Sequence, residues 1–329
     1  MIVLLFLILF MFTSLRPGLG GWDYKNYETF FNQIPDLFNI EFDFLFFHYE
    51  PLYTLANSFV KLFTDNFVVF IVIYTFLTHL LMFQVIKKYS INFFYSIFIY
   101  FSTYYLWHNF TLLRQNVAIL IFWFSLEYIR EKKFVKYLLL IIIASLFHNS
   151  AIVLILFYFI IELMDKFSIK KNVWLFIFLS LLKPASDFLL RYIYKILSYF
   201  NIGRSNLEAY LSSTERGVNE FFILEVLLII VFVYLKRNDS LIKNNKLFVN
   251  LLLLSFVIVV WFSNYEIAVR FVEYFRIYYF VLIPILIKTI KNIYLKYSLF
   301  FITIFYFLFR LYRYLNTFDS GSLKNYVLF

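Results

Sequence analysis

Apolar runs of bilayer length follow one another along almost the whole chain, and they leave few folds open. Backbone held in hydrocarbon must satisfy its own N–H and C=O groups, which leaves helices and closed barrels. The runs are continuous rather than alternating, and this argues against a barrel. With 63% apolar residues over 329 positions, the chain carries more apolar surface than a soluble domain could bury. The expected fold class is all-α, a polytopic transmembrane helical bundle forming a single integral membrane domain over 1–329.

The apolar stretches are 1–15, 67–86, 91–107, 111–129, 137–163, 173–183, 220–235, 247–263, 277–287 and 298–315, and with 137–163 counted as two crossings about 11 spans are expected. The run 137–163 is too long for one untilted crossing, and His148-Asn149-Ser150 interrupts it. Two short spans with a turn at His148 fit it better. Residues 52–63 are short and carry Asn57 and Lys61, and read as a re-entrant or interfacial helix. Two long polar segments stand apart, 16–51 and 184–219. No cleavable signal is expected, because residues 1–15 have no basic start and no small-residue cleavage pattern.

The charge pattern orients the bundle. Clusters at 87–88, 130–136, 166–171, 236–246 and 288–296 hold over half of the Lys and Arg and fall on alternate sides of the runs. By the positive-inside rule they are cytoplasmic, and the two long segments lie outside. The parity flips for residues 16–50 if 52–63 crosses. The net charge of +10 follows from this pattern and is no nucleic-acid signal. The absence of cysteine excludes disulfides and thiolate chemistry. The two outward-facing His residues, His108 and His148, lack metal-site spacing, and no metal or cofactor is expected.

The stretch from Leu113 to Ile152 is the hardest to explain as apolar filler. Arg114 opens one run, and an arginine at membrane depth is costly. His148 breaks another run thirty-four positions on, across the basic knot Arg130 to Lys136. If both ends face the same side, the two meet in one polar pocket.

Guanidinium groups at the outer membrane edge suit a diphosphate, because they stay charged and fork onto phosphate oxygens. The candidates are Arg16, Arg114, Arg191, Arg204, Arg270 and Arg276. Each has a plainer reading. Glu266, Arg270, Glu273 and Arg276 have the spacing of a self-neutralised helix ladder. Arg191 and Lys195 share a helical face that could rest on lipid headgroups. Arg114 has no acidic residue three or four positions away, which favours function. His148 is a candidate acid or base, or else a turn residue satisfying broken backbone groups. Asp23 and Glu50 are candidate bases, or solvated loop carboxylates. His79, in mid-run, reads as a helix-to-helix hydrogen bond.

Taken in order, several short pieces resemble one family. They are Arg16, then Gly20-Gly21-Trp22-Asp23-Tyr24 with Tyr27, then Glu50-Pro51-Leu52. Leu113-Arg114-Gln115 with Ala118 and Ala144 with Phe147-His148-Asn149-Ser150-Ala151 follow. Arg270, Tyr274 and Arg276 come last, ahead of Leu282-Ile283-Pro284. The set is similar to the EpsG/Wzy-like polysaccharide polymerases of bacterial O-antigen, capsule and exopolysaccharide clusters. The resemblance implies a metal-independent glycosyltransferase with a GT-C-type bundle in the bacterial inner membrane, its active site facing the periplasm. Its substrates would be undecaprenyl-diphosphate-linked oligosaccharides, with a chain-length regulator as a candidate protein partner. Arg114, Arg270, Arg276 and Arg16 would bind diphosphate. His148, Asp23 or Glu50 would be the base. Gln115, Tyr24, Asn149, Arg191 and Arg204 would contact substrate. Two rival readings are an O-antigen ligase and a lipid-linked oligosaccharide flippase. The flippase would favour internal repeats and a charged cavity, and neither is evident in the sequence.

Overall fold

The computed structural model describes residues 1–16, 23–41, 49–183, 188, 192, 220–263 and 270–317. Among these, every regular element is helical. In chain order they are α1 (Ile2–Ser14), α2 (Tyr24–Gln33), α3 (Pro51–Lys61), α4 (Phe67–Tyr89) and α5 (Phe93–Tyr100). Two π turns, Phe101–Tyr105 and Trp107–Thr111, then lead into α6 (Leu113–Arg130) and α7 (Phe134–Ser145). After a 3-10 turn at Asn149–Val153 come α8 (Leu154–Asp165), α9 (Ile169–Leu181), α10 (Glu220–Leu235) and α11 (Ser240–Asn244). The last three are α12 (Lys246–Trp261), α13 (Ile277–Lys288) and α14 (Ile293–Thr317). They divide between two compact units, Met1–Tyr158 with Ile293–Phe329, and Phe159–Asn292.

In the first unit α4 is the longest buried rod. Asn66 caps it by accepting the Val68 N–H at 2.8 Å, and Lys87 and Lys88 sit in its last turn, where they oppose the helix dipole. Its contact with α1 contains a buried polar knot. His79 bonds Thr13 at 3.2 Å and Tyr105 at 2.8 Å, the interhelical role expected of it.

The α6–α7 hairpin closes on Lys132, whose φ of 55° is left-handed. Its neighbour Lys133 donates to the Tyr128 carbonyl at 2.8 Å, the six-residue bond of a Schellman ending. The turn expected at His148 is present. Beyond it α8 runs back along α7, because the Tyr137 hydroxyl donates to the Leu154 carbonyl at 2.7 Å and Tyr158 packs on Phe134 and Tyr137.

Two helices, Phe67–Tyr89 and Ile293–Thr317, are long and apolar enough to cross a membrane by length and composition. Most of the other expected crossings are shorter. Polar residues stop them early: α7 and α8 have 12 residues each, about 18 Å against a hydrocarbon core of about 30 Å. The α6 helix has 18 residues but carries Arg114, Glu127 and Arg130. The stretch 52–63 falls on the 11-residue α3, Pro51–Lys61, a partial helix as expected. Leu77, Leu139, Leu156 and Phe305 lie exposed on separate helices, an apolar surface that suits lipid and not water. In the second unit, α12 packs against α9, α10 and α13 and is buried along most of its length.

Candidate functional site

The site in the first unit is assembled at the start of α6. Two tyrosine hydroxyls fix that start: Tyr74 donates to the Leu113 carbonyl at 3.1 Å, and Tyr27 donates to the Thr111 carbonyl at 3.3 Å. The π turns before it carry Asn109, which accepts the Asn116 amide at 3.2 Å and so ties the turn to the helix it introduces. Arg114 leaves this braced first turn.

Its guanidinium forms an ion pair with Glu50, from the loop before α3. The other carboxylate oxygen of Glu50 accepts the Asn149 N–H at 3.2 Å, from the tip of the α7–α8 hairpin. The neighbouring Leu52 N–H donates to the Leu146 carbonyl at 2.9 Å and holds the same tip. One carboxylate therefore joins three segments far apart in sequence. Glu50 is 7% exposed and the Arg114 side chain 22%, so the pair is largely shielded from water without being sealed from it. Removing one partner of a buried pair costs about 3 to 5 kcal/mol, because the other charge is left behind.

Aromatic rings complete the surround. The Arg114 guanidinium lies 4.1 Å from the Tyr49 ring centre and 5.9 Å from those of Tyr27 and Tyr53. Such cation–π contacts are worth about 0.5 to 2 kcal/mol each, more where water is excluded. Burial pushes the Tyr27 phenol up to about 12, against the partial opposing effect of Arg114. Burial also raises Tyr49. Both phenols are neutral at physiological pH and add no charge to the pocket.

The other candidates fall into three groups. Asn149 reaches Glu50, the partner of Arg114, and His148 precedes it in the hairpin tip. There its Nδ1 and the Ser150 hydroxyl are 2.7 Å apart, while its N–H donates to the Ala144 carbonyl at 3.0 Å. The turn reading of His148 is therefore met by its backbone. Arg16 is 1% exposed and lies 4.2 Å over the Phe110 ring, with Tyr24 at 5.9 Å. Asp23 precedes α2, close enough for its charge to raise both Tyr27 and Tyr49. Tyr24 is buried against Phe67 at 5.3 Å, and Gln115 is buried beside Arg114 in sequence.

In the second unit, Arg276 closes on its own turn. It bonds Glu273 at 3.2 Å and lies 3.9 Å over Phe222, with both charged residues buried. This is the last step of the ladder read from the sequence. Arg270 is half-buried in the same unit. Arg191, Arg204 and Glu266 lie outside the described residues.

Sequence reasoning missed two things. Glu50 is legible as a candidate base but not as the counter-ion of Arg114, because helical spacing reaches only three or four positions. Tyr49 and Tyr53, which flank Glu50 at a spacing of four, carry no motif that marks them in the sequence. Among the described residues, no three His, Asp or Glu side chains gather at metal-binding distance. The arrangement offers a fixed cation, an adjoining carboxylate and an imidazole near a serine hydroxyl, under partial solvent exclusion. Those groups suit anion binding with proton transfer beside it.

The EpsG family model matches residues 1–328. No curated protein and no solved structure matches the chain.

Proposed function

The chain belongs to the EpsG family, whose members are polysaccharide-polymerase-like transferases, and from that premise we propose that it lengthens a lipid-linked glycan. The donor is a glycan on undecaprenyl diphosphate. The acceptor is the non-reducing-end sugar of the next lipid-linked repeat unit. The reaction occurs on the periplasmic side of the inner membrane, without metal, in a multi-span GT-C-like bundle.

One observation carries this reading: Arg114, Glu50 and the His148 turn converge from three remote segments on one shielded spot. In the proposed step the acceptor hydroxyl oxygen attacks the donor's anomeric carbon. The bond from that carbon to the diphosphate oxygen breaks, and the leaving diphosphate keeps the electron pair. Arg114 offsets the charge that develops there, a contribution often worth a factor of about 100 to 1,000 in rate. Arg16 is a second cation for the same anion. Glu50 takes the acceptor proton once the diphosphate draws Arg114 away from it. Asp23 and His148 are the alternative bases. Tyr24, Gln115 and Asn149 line the substrate side.

The experiment expresses Arg114→Ala and Glu50→Gln in membranes lacking the native chain and resolves lipid-linked glycan by length. Both variants are expected to insert normally and leave single repeats. Long glycan made by inserted Arg114→Ala would remove this reading. Loss of the whole chain discriminates the ligase: a polymerase defect leaves one repeat on the final acceptor, a ligase defect leaves none.

A further inference from the structure

The second unit carries a cavity of about 460 Å³ lined by Ser168, Lys170, Arg237, Asn238, Lys243 and Lys246. Four of these side chains are cations, and no carboxylate is among the lining residues. The cavity stands where α9 and α12 begin and just beyond the end of α10. Two of the cations are already held. Lys246 donates to the Asp165 carbonyl at 2.6 Å and forms an ion pair with the Asp165 carboxylate at 3.8 Å. Arg237 donates to the Tyr234 carbonyl at 2.7 Å and lies 4.4 Å over that residue's ring. Each retains donors, since an ammonium has three and a guanidinium five. Lys170 and Lys243 are exposed at the rim. The positive-inside rule accounts for basic loops, but it gives no reason for four cations to share one concavity.

We propose that this cavity binds a phosphate-bearing polyanion. Its volume lies within the roughly 300 to 1,000 Å³ common for small-ligand sites. The favoured source is a lipid headgroup with two phosphates, because the cavity sits at the level of the helix ends, where headgroups lie. A free diphosphate carries the same chemistry. The inference does not depend on the glycan-lengthening reading.

The test uses the purified full chain with two probes. One is cardiolipin, offered in phosphatidylcholine vesicles and compared with vesicles of phosphatidylcholine alone. The other is inorganic pyrophosphate, titrated in neutral detergent. Saturable binding of cardiolipin alone identifies a headgroup site, and saturable binding of pyrophosphate as well identifies a general diphosphate site. In either case the double variant Lys170→Gln/Lys243→Gln is expected to bind roughly 10- to 30-fold more weakly. A control, Lys288→Gln/Lys291→Gln, removes two basic residues of the same unit that do not line the cavity, and it is expected to bind as the native chain does. Equal losses in both double variants, or no saturable binding of either probe, would overturn the proposal. A thermal melt of each variant confirms that it is folded.

Discussion

Arg114 and Arg276 invite comparison. Both stand near the start of a helix, both pair with a glutamate, and both lie about 4 Å over an aromatic ring. They differ in where the partner comes from. Arg276 takes a glutamate three residues before it and satisfies its charge within one turn. Arg114 takes one 64 positions away, and that glutamate also grips the hairpin tip. The local pair neutralises a cation. The remote pair makes the position of a cation depend on three segments at once, so anything that competes for Arg114 also acts on Asn149 and the turn around it.

The largest effect should come from Arg114 itself. Arg114→Ala is expected to reduce glycan lengthening by roughly 100-fold or more, and Arg114→Met/Glu50→Gln should not restore it, as measured by lipid-linked glycan length. Recovery in that double variant would reduce the remote pair to a local one in kind.

Next in size is stability in the second unit. Arg276→Met alone should cost on the order of 3 kcal/mol, and adding Glu273→Gln should return most of it, because a matched replacement leaves no buried charge behind. Thermal unfolding in detergent reads both. A double variant as unstable as the single one would show that the pair reaches beyond its own turn.

Smaller still is the ring over Arg114. Tyr49→Phe keeps the π face and should change lengthening little, while Tyr49→Leu should lower it several-fold, in line with about 1 kcal/mol of cation–π stabilisation.

The smallest effect is at high pH. Tyr27 is raised from 10.0 to about 12 in the folded chain, so the unfolded chain ionises first. Its contribution to stability should be intact below pH 10 and decline as pH rises from about 10 to 12. Tyr27→Phe should flatten that decline in an alkaline melt.

What the sequence disclosed follows the same division between local and remote. The helical class, the turn at His148, the partial helix before Lys61 and the Glu273–Arg276 pair all depend on neighbours within a few residues. Spacing reports such features directly. The role of His79 was legible too, because a polar ring in an apolar run has few ways to be satisfied. The Arg114–Glu50 pair was not legible, since no helical period links position 50 to position 114. The lengths of many helices were also hidden. Hydropathy marks apolar stretches, but caps and polar breaks decide where the helical backbone stops. The basic cavity of the second unit had been visible only as loop charge, without its concavity.

The π turns at Phe101–Tyr105 and Trp107–Thr111 have a consequence for the cation that follows them. A π turn accommodates a surplus residue within a helix. One residue corresponds to about 100° of rotation about an α-helical axis. The widened turns absorb that rotation where it arises, and Leu112, with φ −91° and ψ 42°, leaves helical geometry before α6 begins. The bearing on which Arg114 projects is therefore set at Leu112 and by the two hydroxyls that hold the Thr111 and Leu113 carbonyls, not by the count of residues upstream. Shortening a π turn by one residue should disturb Arg114 less than removing either hydroxyl.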